Sequence, residues 1–174
     1  MNPIKLILGG VTALLGIILL MSSFEVVDTG YRGIRTQFGE ILGEPLVEGL
    51  HFKTPFIQSI LEMEVREQKI ETEAASFTKD TQNVMVKVAV VLYPDPTKIH
   101  SMYQKFGRDW AEKLVLPAIQ SSVKDTTSQY VADELVGVRE RAQAAAFQDL
   151  KKVLAERNIT VTSLQFVNLD FDDA

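Results

Sequence analysis

Val84-Met85-Val86-Lys87-Val88-Ala89-Val90-Val91-Leu92 places Val84, Val86, Val88, Val90 and Leu92 on one side of an extended chain, without a fault over nine residues. A strict two-residue period marks a strand with one buried face. Upstream, Leu61, Met63 and Val65 alternate with Glu62, Glu64 and Arg66, which predicts a half-buried strand. After Glu67 the apolar phase moves to Ile70, so a bulge or a break is expected there. Asp28-Thr29-Gly30, Gly39, Gly43, Pro45, Gly49 and Pro55 punctuate the segment from Phe24 into short strands and turns. Downstream, Pro94 and Pro96 mark a change to helix. The pattern predicts a short helix capped by Asp95 and running through Gln104, and a second opening at Asp109-Trp110 and kinked at Pro117. A third is expected from Asp133 to Arg157, stopped by Asn158, and a last strand over Ile159–Phe166. Strands followed by helices and a returning strand define an α+β fold, with a β-rich lobe over 25–95 and an α/β lobe over 96–171.

Before this domain the chain changes character. Leu6 to Phe24 carries no charge over 19 residues, a length of about 28 Å as a helix. That matches the hydrocarbon thickness of a bilayer, so residues 1–24 are expected to form a membrane anchor helix, with Leu6, Leu14, Leu15, Ile18, Leu20 and Phe24 in lipid. A cleaved secretory signal and a buried core helix are the competing readings. The first would leave a secreted binding module. Lys5 before the helix and Glu25 and Asp28 after it favour an N-terminus in the cytoplasm, or in the matrix of a mitochondrion, with the domain on the opposite side. Arg32 and Arg35 weaken that charge asymmetry.

Composition removes several chemistries. Among 174 residues there is no cysteine, so disulfide scaffolds, thiol nucleophiles and thiolate metal sites are excluded. His51 and His100 are the only histidines, too few for a His-rich metal centre. With 18 basic against 23 acidic side chains, net −5, there is no basic stripe for a phosphate backbone, and nucleic acid is not an expected partner. No nucleophile elbow, zinc-binding helix or phosphate loop occurs, which points away from an enzyme and from a bound cofactor. Asp170, Asp172 and Asp173 read as a solvated acidic tail rather than a cation site.

Five stretches, in order, resemble one family. Val26-Val27-Asp28-Thr29-Gly30-Tyr31-Arg32-Gly33-Ile34 is similar to the start of an SPFH (band 7) domain, most closely that of prohibitins. Glu48-Gly49-Leu50-His51-Phe52-Lys53-Thr54-Pro55-Phe56 is similar to the family's P-G-L-H-F-x-x-P-F, with Glu48 where the family usually has proline. Thr78-Lys79-Asp80-Thr81-Gln82-Asn83-Val84 resembles T-K-D-x-Q-x-V, and Tyr130 to Arg139 resembles Y-x-A-x-E-L-x-x-x-R. Val161 to Phe171 is similar to the closing strand, with Asn168-Leu169-Asp170-Phe171 as its N-L-D-F. The motif positions carried over are thus Gly30, Gly33, Gly49, His51, Phe52, Pro55, Asp80, Gln82, Asn168 and Asp170.

The resemblance implies a membrane-anchored scaffold that assembles with itself or with a related SPFH subunit into rings or cages and organises lipids and proteins. It also implies an AAA-type membrane protease as a partner, which would make the chain a dedicated regulator, and a bacterial or mitochondrial inner membrane as its location. Family members usually continue into a long coiled coil; no heptad run is present here, and assembly is expected to be weak without one.

Overall fold

The computed structural model describes residues 3–171, with the side chains of 3–6 and of Val136 left out. Leu6, Asp172 and Asp173 therefore lie outside the described side chains. The chain divides into two compact units, Met1–Glu64 and Val65–Ala174. The division falls at Glu64/Val65, because the hairpin that follows pairs through its second strand with the C-terminal strand, in one sheet with its helices.

In the first unit, helix α1 (Pro3–Met21) leads into a two-stranded antiparallel ribbon of β1 (Phe24–Val27) and β4 (Gly49–Phe52). A separate three-stranded sheet runs β3 (Glu40–Ile41), β2 (Tyr31–Gln37), β5 (Gln58–Glu64). The expected anchor is shortened at its end: Phe24 opens β1 and is not helical. Ser22 and Ser23 stop the helix by turning their hydroxyls back onto the Leu19 carbonyl, at 3.0 and 2.7 Å.

Gly33 explains how the two β layers of this unit meet. Its N–H and C=O both bond Leu46, at 3.0 and 2.7 Å. A Cβ there would lie 2.8 Å from a Val27 methyl and 2.9 Å from an Ile60 methyl. Only glycine permits that approach.

The second unit is an antiparallel sheet, β6 (Gln68–Phe77), β7 (Asn83–Pro94), β8 (Ile159–Phe171), with helices on one face. The expected alternation holds: Val84, Val86, Val88, Val90 and Leu92 are all buried. Helix α3 (Leu116–Thr127) packs on β6, α5 (Arg139–Ala155) on β8, and α4 (Ala132–Gly137) on α5; with α2 (Ile99–Phe106) they bury Ile99, Ile119, Val123, Leu135, Leu150 and Leu154.

Four expectations are corrected here. Asp95 does not cap α2; it accepts from the Thr97 N–H and hydroxyl at 2.8 and 2.7 Å in a turn, and the helix starts at Ile99. The kink expected at Pro117 takes the form of a π-helical turn, Ala111–Val115, which leaves proline in the first turn of α3 where no N–H is required. The expected 133–157 helix is two helices. Gly137 weakens it, and Val138 leaves helical dihedrals at φ −105°, ψ 18°. The last strand runs on to Phe171, because Lys87, Met85 and Val84 continue to pair with Asn168, Asp170 and Phe171. Asn158 does end α5's turn, at φ 62°.

Candidate membrane-facing surface

From Ile7 to Met21 the described side chains of α1 are exposed all round except at Gly16; Leu14, Leu15, Ile18 and Leu20 are each more than half uncovered. Among the described residues, no helix is long and apolar enough to cross a membrane. Helix exposure of this kind still leaves a large apolar surface with no protein cover.

That surface continues past the helix. The register pairs Phe24 with Phe52 and Val26 with Leu50, so these four share one face of the ribbon. All four are exposed, and the two phenylalanine rings meet edge to face at 5.9 Å. The opposite face carries Glu25, which forms an ion pair with Lys53, and His51, whose Nε2 lies 2.6 Å from the Val47 carbonyl. An apolar ribbon face backed by a polar one is amphipathic across a single layer.

Two further phenylalanines stand at turn tips. Phe38 follows β2 and Phe56 lies between β4 and β5; they are 81% and 90% exposed. Both hold left-handed backbone, at φ 49° and 65°, a conformation that disfavours side chains larger than hydrogen. The Phe38 N–H bonds the Ile57 carbonyl at 3.4 Å, which brings the two turns to one end of the β2–β5 pair. The Lys53 N–H bonds the Ser23 carbonyl at 2.8 Å, tying the Phe56 segment to the point where α1 ends. Helix end, ribbon phenylalanines and aromatic turns are therefore linked within this unit. Exposed aromatic residues held in a strained backbone point to a contact surface rather than to a core.

The motif positions fall into structural roles in each unit. Gly30 (φ 85°) turns the chain into β2, and Gly49 (φ 125°) opens β4. Glu48, which stands for the family's proline, pairs with Arg32, so an ion pair holds the turn that a ring would have stiffened. Its own backbone N–H and the Arg32 guanidinium hold the Glu48 carboxyl below the usual range. Pro55 lies in a turn closed by Gln58, whose N–H bonds the Thr54 carbonyl at 2.9 Å.

In the second unit, Thr78 and Gln82 close the β6–β7 turn, with the Thr78 N–H on the Gln82 carbonyl at 2.9 Å. Asp80 accepts from the Ala132 N–H at 3.2 Å and so holds the start of α4. The Thr78 hydroxyl, ahead of backbone N–H groups, keeps its carboxyl below the usual range. Asn168 donates to both carboxylate oxygens of Asp170, at 2.8 Å each, along β8. Phe38, Val26, Leu50 and Phe56 were not named as surface residues by the sequence; lone aromatics in turns carry no period, and only their φ and exposure reveal them.

Helix, ribbon and turn architecture of this kind places the chain in a class. The profile of the SPFH domain / Band 7 family matches residues 25–174, and the chain belongs to that family. Its relatives include Prohibitin-2 of Schizosaccharomyces pombe, 31% identical over 153 residues, covering 87% of this chain and 53% of that protein. Prohibitin-1 of Colletotrichum higginsianum is 30% identical over 163 residues, 92% of this chain and 59% of that one. Prohibitin-2 of Bos taurus is 29% identical over 176 residues, 95% and 56%. The chain is thus prohibitin-like, and it spans a little over half the length of the curated relatives it matches.

Proposed function

We propose that this chain is a non-enzymatic, membrane-anchored SPFH scaffold whose first unit is held to lipid by α1 and by the phenylalanine-bearing ribbon and turns. The observation that supports it is the exposure of the large apolar side chains of α1 from Ile7 to Met21. Helix Pro3–Met21 rises about 28 Å and lies with its exposed apolar side chains in lipid, and Phe24, Phe52, Phe38 and Phe56 then sit at headgroup depth as interfacial anchors. The N-terminus faces the cytoplasm or matrix and the domain the opposite side, in a bacterial or mitochondrial inner membrane; several relatives are named as mitochondrial.

Copies associate with one another or with a related subunit, and many weak anchors on one assembly bind far more tightly than one. An AAA-type membrane protease as partner rests on the family resemblance alone, and co-purification tests it. Electron microscopy of detergent-extracted protein tests anchor and assembly together. The expected result is material that needs detergent and forms small assemblies. Monodisperse monomers that remain in aqueous buffer contradict the reading.

A further inference from the structure

Gly33 fixes which way β2 faces, because the Cβ it lacks would meet Val27 of the β1–β4 ribbon. Two residues on, Arg35 stands on that same face of the strand. Val27 and Glu25 alternate to one side of β1, and the register sets His51 opposite Glu25, so Arg35 rises toward the ribbon's polar side. Its Nη2 donates to the Phe52 carbonyl at 3.4 Å, a long bond, and its Nε is buried with no partner among the described residues. The other described cations of this unit are neutralised, Arg32 by Glu48 and Lys53 by Glu25. Arg35 pairs with no carboxylate among the described residues. A guanidinium offers five donors, and this half-buried one has a single weak acceptor inside the unit.

We propose that Arg35 binds the phosphate of a phospholipid headgroup. The site rests on the membrane reading above and deepens it by naming the chemistry that the ribbon meets. The carbonyl that holds the guanidinium belongs to Phe52, whose exposed ring meets Phe24 on the ribbon's apolar side. Ring and guanidinium are thereby held at one level, so a ring at headgroup depth brings Arg35 to the layer of the phosphates. The guanidinium fork matches two phosphate oxygens, and such charge-assisted bonds are shorter and stronger than the one Phe52 supplies. Lys53 follows Phe52 directly, so Arg35, Lys53 and Glu25 leave one surplus positive charge at this rim of the ribbon. Residues 25–64 as a whole are acidic, with seven carboxylates against three cations. General attraction to a negative surface is therefore not the cause; selection is local, for a phosphate at one point. Phosphatidylglycerol suits it, since that headgroup has no ammonium to compete for its own phosphate.

Full chains are extracted in an uncharged maltoside detergent, supplied with phosphatidylglycerol or digalactosyldiacylglycerol, washed, and measured by native mass spectrometry. The second lipid has tails but no phosphate. The parent should retain several-fold more phosphatidylglycerol than Arg35→Gln, with Arg35→Lys between them. Arg108→Gln, which removes an exposed cation of the second unit, should match the parent. The galactolipid should be retained weakly and equally by parent and Arg35→Gln. Equal retention of phosphatidylglycerol by parent and Arg35→Gln overturns the site. A variant that loses both lipids alike shows Arg35 acting through the fold, which overturns a headgroup role. Excess inorganic phosphate should displace little of the bound lipid; complete displacement assigns the site to free phosphate and overturns the lipid assignment. The two claims separate on the parent chain. One that needs detergent but shows no dependence on Arg35 overturns this site alone, and one that stays in aqueous buffer without detergent overturns the membrane reading as well.

Discussion

Arg139 reaches from the first turn of α5 to the carbonyl of Val167, 3.2 Å away, and the same guanidinium nitrogen also donates to the Phe166 carbonyl. Val167 is the extra residue of a β-bulge: Lys87 pairs with Asn168 and Val88 with Phe166. The bulge turns two carbonyls outward at once, and one cation satisfies both. Hydrogen bonds from a charged donor stabilise by about 1.5–3 kcal/mol when the acceptors would otherwise be left without a partner. Arg139→Ala should therefore lower stability by about 1–3 kcal/mol, with Arg139→Lys recovering only part, since a single ammonium lacks the planar fork. Urea titration followed through Trp110, the only tryptophan and a buried one, reads this unit directly. The midpoint should fall with the slope unchanged.

Gly33→Ala is the corresponding test in the first unit. The added methyl meets Val27 and Ile60 at 2.8 and 2.9 Å, contacts that force a shift of both layers. A loss of about 1–3 kcal/mol is expected. Hydrogen exchange over Tyr31–Glu64 should accelerate, while peptides of α5 keep their protection. Gly10→Ala, which meets nothing within 4 Å, should leave exchange unchanged.

Asp80 gives stability a defined acid dependence. Its carboxyl titrates below the ordinary range because the Thr78 hydroxyl and backbone N–H groups favour the charged form. A depressed acid contributes above its unfolded value of about 4, and the contribution is lost as pH falls through the lower folded value. Asp80→Asn lacks the charge at every pH. The gap in urea midpoint between parent and variant should stay constant above about pH 5 and close below about pH 4. A gap that persists at low pH would mean that the charge plays no part.

Phe56 separates contact from packing. It is 90% exposed at φ 65°, so Phe56→Gly removes no core contact and relieves backbone strain. Thermal stability in detergent should hold or rise by about 1 kcal/mol. In vesicles the outcome reverses: Phe56→Trp in a Trp110→Phe background should be quenched by lipids brominated near the headgroup, and not by an aqueous quencher.

The fold was legible wherever one face alone decides burial. The alternation of Val84 to Leu92 places β7, and the uncharged run before Glu25 places α1, because each period has one physical cause. Local chemistry was harder to read where two causes compete. Asp95 could cap a helix or close a turn with Thr97, and the turn offered two donors instead of one. Arg139 to Leu154 carries a helical pattern that also suits Asp133 to Val136, so the break at Gly137–Val138 left no mark on the spacing. The division at Glu64/Val65 has a non-local cause: β6 and β7 follow the first unit in sequence, but β7 pairs with the distant β8 and so draws the hairpin into the second unit's sheet. Of the candidate surface, the sequence indicated α1 and Phe24. The face shared by Val26 and Leu50 depends on a strand register that only the folded ribbon supplies.

Leu15 offers the most direct measurement. It is 55% exposed in the middle of α1, so in water an arginine there would remove little protein contact. In a bilayer the same change costs about 3 kcal/mol at mid-depth. Membranes carrying the parent or the Leu15→Arg chain are extracted with alkaline carbonate and floated on a density gradient. The parent should remain with lipid, and the variant should shift strongly to the soluble fraction while its domain keeps native Trp110 emission. Equal retention of both chains in the lipid fraction, or release of both, would contradict anchoring by α1.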